Sequence, residues 1–70
     1  MQRYLTAHEI RAIREQAGLN VPELAEYLGV ASQNILLWEN EHERVLPEEW
    51  VCDRLRDLAA ATEERNRQAG

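Results

Sequence analysis

Apolar positions in this chain recur at helical spacing, and glycine, proline and capping residues divide them into four groups. Thr6-Ala7-His8-Glu9 has the S/T-x-x-E form of a capping box. It precedes Ile10, Ile13 and Ala17, spaced i, i+3, i+7 on one helical face. Gly18 suits the left-handed residue after a helix end, so a first helix is predicted over 7–17. Asn20 with Glu23 three residues on marks a second start, and Pro22 is tolerated in a first turn. Leu24, Ala25 and Leu28 form the second stripe and Gly29 ends it, predicting a helix over 21–28. In the third helix, 32–40, Ile35 and Trp38 can share a buried face. Ser32, Gln33, Leu36 and Leu37 then cannot all be buried with them. Residues 41–46 read as a loop. Pro47, Glu48 and Glu49 suit the start of a fourth helix, with Val51, Leu55, Leu58 and Thr62 as its inner stripe and Trp50 beside it. From Glu63 the pattern stops, so 63–70 is expected as a frayed or disordered tail. Strand-type alternation is absent. The expected fold is all-α: a compact domain over 1–62 with four helices, or five.

Seventy residues hold one domain with a modest core. The single cysteine, Cys52, precludes an internal disulfide and is expected as a semi-buried filler. No group of Cys and His has zinc-ligand spacing, so neither a metal nor another cofactor is implied. His8 and His42 are too far apart and too poorly accompanied to suggest one. Tyr4 and Tyr27 are expected to be partly buried. No nucleophile, base and orienting group can be drawn together, which argues against an enzyme. The absence of a signal peptide or a long apolar run argues against a membrane role and for the cytoplasm. Thirteen acids against eight arginines give a formal net charge of −5.

The order helix, short glycine-containing turn, helix over about 21–40 is that of a helix-turn-helix. Ala25 and Gly29 stand where the two helices must approach closely, and Val30 and Ile35 can plug the gap. Ile13-Arg14, Gly18-Leu19-Asn20, Glu23-Leu24-Ala25, Leu28-Gly29-Val30, Ile35 and Trp38-Glu39-Asn40 together resemble the Cro/repressor (XRE-type) helix-turn-helix family, across about residues 5–60. That resemblance implies a lambda-repressor-like DNA-binding domain. The second helix of the motif would enter the major groove. By position, Ser32, Gln33, Leu36 and Leu37 would make base contacts. Arg11, Val21, Asn40, His42 and Arg44 would contact phosphates. Arg14 and Glu39 match a structural salt bridge. Such proteins act as dimers on operator DNA, and small stand-alone domains of this kind include phage regulators and antitoxins.

Three features depart from the family pattern. Ala31 stands where a serine or threonine cap is usual, which leaves Ser32 as the alternative cap. Glu41 replaces a glycine, and the loop to Pro47 is long. Residues 18–43 carry Glu23, Glu26, Glu39, Glu41 and Glu43 with no arginine or lysine. The cations left near DNA are Arg3, Arg11 and Arg44, with His8 and His42. Two readings follow. In the first, the chain is a sequence-specific transcriptional regulator, a repressor by steric block, binding double-stranded DNA as a homodimer through helix 3. In the second, it is a protein-interaction module that binds a protein partner through its acidic face and Leu36/Leu37. Those leucines suit thymine methyls, a protein-binding patch or plain core. Trp50, Val51, Leu55 and Leu58 would form the dimer interface, or the fourth helix would simply close the monomer core.

Overall fold

Local hydrogen bonds set the starts of the first two helices. Thr6 Oγ1 accepts from the Glu9 N–H at 3.1 Å, while the Glu9 carboxylate accepts from the Thr6 N–H at 2.9 Å. This reciprocal box opens α1 (Ala7–Gln16). Asn20 and Glu23 repeat it at 2.8 Å in each direction and open α2 (Val21–Leu28). Gly29, at φ 78°, turns the chain out of α2 in a left-handed conformation. A Cβ there would meet nothing within 4 Å, so the backbone angle alone calls for glycine. After the turn at 29–31 come α3 (Ser32–Trp38) and then α4 (Glu49–Ala69). The structure, a computed structural model, describes residues 5–43 and 45–69. Arg3, Tyr4 and Arg44 lie outside the described residues.

One core joins all four helices. Leu5, Ile10, Leu24, Ala25, Leu28, Ile35, Trp38, Val51, Cys52 and Leu55 form a single buried cluster. Ile13, Leu19, Val21, Val30 and Leu58 pack around it. The small Ala25 sits where α2 meets α3. Its carbonyl accepts both the Gly29 N–H at 2.8 Å and the Val30 N–H at 3.0 Å. α4 crosses back over α1 and closes the core. A reciprocal clasp holds α2 to α4: Arg54 lies over the Tyr27 ring at 4.9 Å and donates to the Tyr27 carbonyl at 3.0 Å. The Tyr27 hydroxyl donates to the Arg54 carbonyl at 3.4 Å. Among the described residues there are four helices and no strand, and no helix is long and apolar enough to cross a membrane.

Several expectations are corrected. α3 ends at Trp38, not 40, because the chain enters a turn at 41–43. Pro47 precedes α4 and is buried; the Glu48 carbonyl, not Pro47, starts the helix by accepting from Val51 and Cys52. Cys52 is fully buried. The expected tail is helical, since α4 runs on to Ala69. Its last turns are rich in Ala, Glu, Arg and Gln, which favour helix without an apolar stripe. Arg67 and Glu63 pair there at 3.2 Å with i,i+4 spacing.

Because only the angle at Gly29 is special, Gly29→Ala should cost about 1–2 kcal/mol and Gly29→Asn less, since Asn enters the left-handed region more readily. Urea denaturation midpoints of the two variants check this ordering.

Candidate nucleic-acid interface

α3 is pinned from behind. Ile35 and Trp38 are buried in the core. Gln33, Leu36 and Leu37 stand at i, i+3 and i+4, the stripe on the other side of the helix, and Asn40 follows two residues after its end. Gln33, Asn40 and Leu36, the last 58% exposed, face solvent. Leu37 and Ser32 are half-buried at its margins. Sequence reasoning passed over Asn34, which is also exposed on the first turn. Its signal was the Ile35–Trp38 anchor, which leaves position 34 on a flank. Ala31 is the residue at the N-cap and no side chain caps α3, so Ser32 does not take that role. No charged residue lies within α3.

Glu39, immediately after α3, fixes the helix to the rest of the domain. Its carboxylate receives Arg14 Nε at 2.7 Å and Arg14 Nη2 at 3.0 Å. The two side chains are 6% and 15% exposed, so this is a buried, bidentate pair. Arg14 Nη1 also donates to the Leu19 carbonyl at 3.2 Å, tying in the turn between α1 and α2. The Arg14 pKa is pushed up, chiefly by the hydrogen bond to Glu39 and against the opposing effect of burial. Among the described residues no buried side-chain polar atom lacks a partner.

The expected phosphate contacts are less well assembled. Arg11, 53% exposed, leans on Glu39: its Nε lies 3.5 Å from Oε1, and its Nη2 donates to the Glu39 carbonyl at 3.3 Å. Val21 is half-buried at the start of α2, where the Glu23 carboxylate already occupies the Asn20 N–H. A phosphate approaching there meets that charge. Asn40 Oδ1 accepts from the His42 N–H at 3.0 Å, so that amide is committed within the loop. Arg44 lies outside the described residues. Glu23, Glu26, Glu41 and Glu43 are all exposed around the motif. Among the described residues no group of three or more His, Cys, Asp or Glu could hold a metal ion.

No family model, curated protein or solved structure matches this chain.

The proposed dimer surface is corrected in part. Val51 and Leu55 belong to the monomer core, and Leu58 packs against it. In so short a chain the inner stripe of α4 is consumed in closing the core over α1. Of the four residues only Trp50 faces outward, 44% exposed, with its Nε1 donating to Glu48 at 3.3 Å. Val45 and Leu46, 40% and 59% exposed, form an apolar surface that the sequence reading passed over as loop. Two adjacent apolar residues between Arg44 and Pro47 were its only signal.

Removing the Glu39 carboxylate takes the main acceptor from a mostly buried Arg14, so Glu39→Ala should lose about 1.5–3 kcal/mol of stability. Arg11→Ala, at a half-exposed site, should cost under about 1 kcal/mol. The double change Arg14→Met with Glu39→Leu should recover much of the Glu39→Ala loss, since apolar replacement of a buried pair is often neutral. Urea denaturation of the three variants tests the set.

Proposed function

We propose that this chain is a sequence-reading DNA-binding regulator that lays α3 in the major groove and acts as one half of a dimer. The carrying observation is the outward stripe of α3, uncharged and solvent-facing, on a helix held from behind by Ile35, Trp38 and Glu39. Gln33 has the carboxamide that pairs with an adenine N6/N7 edge, and Leu36 offers methyls to thymine. Asn34 supplies a second carboxamide beside them. Charge makes the backbone grip weak. Arg11 is the cation best placed to reach a phosphate, and it already shares Glu39 with Arg14. Two copies on half-sites one helical turn apart double the contacts and supply the affinity one copy lacks. Trp50 is the outward apolar residue on α4 for contact between them. Occupancy of a promoter would then repress by exclusion.

A second reading, binding of a protein through Leu36 and Leu37, is favoured by the exposed Glu23, Glu26, Glu41 and Glu43 around the motif. Selection of sites from random duplex DNA at low salt separates the two; failure to enrich any sequence would leave the protein-binding reading. On an enriched site, Gln33→Ala should lower the preference over scrambled DNA by about 1–3 kcal/mol. Arg11→Ala should weaken both sequences alike and reduce the salt slope by about one. Fluorescence anisotropy across a salt series measures both. A Gln33→Ala protein with unchanged preference contradicts the proposal.

A further inference from the structure

Apart from the reading face of α3, the domain carries an apolar cleft of about 440 Å³, lined by Thr6, Ala7, His8, Trp38, Glu41, Val45 and Leu46. None of Gln33, Leu36 and Leu37 lines it. Trp38, which anchors α3 in the core, is also one of the residues lining it. Leu46 and Val45 stand exposed at its edge. The rim is acidic. Glu41 lines the cleft, and the Glu9 carboxylate sits on the Thr6 N–H at 2.9 Å. Glu43 follows in the same turn, and Glu48 comes two residues after Leu46. The lining residues include no arginine or lysine, and His8 Nδ1 faces Glu41 at 3.6 Å. Over residues 41–49 the sequence has four glutamates, Glu41, Glu43, Glu48 and Glu49, against one arginine, Arg44.

We infer that this cleft docks a segment of another protein that carries a large apolar anchor residue flanked by lysine or arginine. The anchor fills the space against Trp38, Val45 and Leu46, removing exposed apolar surface from water. The flanking cations meet the carboxylates of the rim, which attract them at long range and disfavour neutral or acidic competitors. A second copy of this chain is the poorer occupant. A symmetric pairing on this face would set Glu41 and its neighbouring acids against the same acids, between two chains that each carry a net charge of −5. The inference does not depend on the DNA-binding reading, because the two surfaces share no lining residue.

Random peptides displayed on phage and panned against the full chain provide the test. The enriched peptides should combine a large apolar residue with nearby Lys or Arg. A synthetic copy of one should lose at least about tenfold in affinity on Leu46→Glu, equivalent to the loss of a central apolar contact. Because Leu46 is exposed, that variant should keep the wild-type urea midpoint, which checks that it folds. Glu41→Gln combined with Glu43→Gln should weaken binding several-fold and flatten its salt dependence, while Gln33→Ala should leave it unchanged. Enriched peptides without basic residues would overturn the inference, as would binding insensitive to the two glutamine changes. A concentration-dependent dimer in sedimentation that Leu46→Glu dissociates would also overturn it, by showing that a second copy covers the cleft.

Discussion

The buried contact between Glu39 and Arg14 is the constraint on which the rest of the arrangement depends. α3 has only seven residues, far fewer than the 12–15 or so at which an isolated helix becomes even marginal in water. It therefore exists by its attachments. Ile35 and Trp38 hold one side of it in the core and so set which face points outward. The paired hydrogen bonds from Arg14 add direction, and the link from Arg14 to the Leu19 carbonyl carries that direction into the turn before α2. A surface meant to read another molecule must be held to within a fraction of an ångström by its supporting shell. Here that shell is one buried carboxylate and one mostly buried guanidinium.

The parts of the fold that rest on local chemistry could be read from the chain. The Thr6–Glu9 and Asn20–Glu23 boxes, the bounds of α2 and the left-handed Gly29 all depend on residues within four positions of one another. Most core residues of the helices followed from periodicity for the same reason, though Leu5 and the full burial of Cys52 did not. What could not be read depends on interactions across the fold or on absent periodicity. The last turns of α4 carry helix propensity and an ion pair but no apolar stripe. Whether Val51 and Leu55 close the monomer core or meet a second copy stayed open, because the area needed to close the core is not written in spacing. At the reading site, the outward direction of Gln33 and Leu36 followed from the Ile35–Trp38 anchor. The state of the phosphate-facing groups did not. Arg11 is drawn to Glu39, and the His42 amide is taken by Asn40; both are contacts of side chains whose positions sequence spacing does not set.

Charge divides the molecule's surface by task. The reading stripe of α3 is free of charge, while exposed glutamates lie on α2 and in the turn after α3. Such a surface binds polyanions poorly without help and so gives little nonspecific affinity. On the proposed DNA-binding reading, preference would come from hydrogen bonds and methyl contacts, with a second half-site supplying strength. The same glutamates that weaken contact with phosphate make the cleft beside Trp38 attractive to a basic partner. One charge distribution thus favours two separate surfaces with opposite electrostatic demands.

The most direct measurement is an NMR amide-shift titration of the full chain with a duplex enriched from random DNA, at low salt. The account predicts that the largest shifts fall on residues 32–40, with the amides of Thr6, Ala7 and Leu46 at the cleft unmoved. Shifts centred on the cleft, or spread evenly over the arginines of α4 with 32–40 silent, would contradict it.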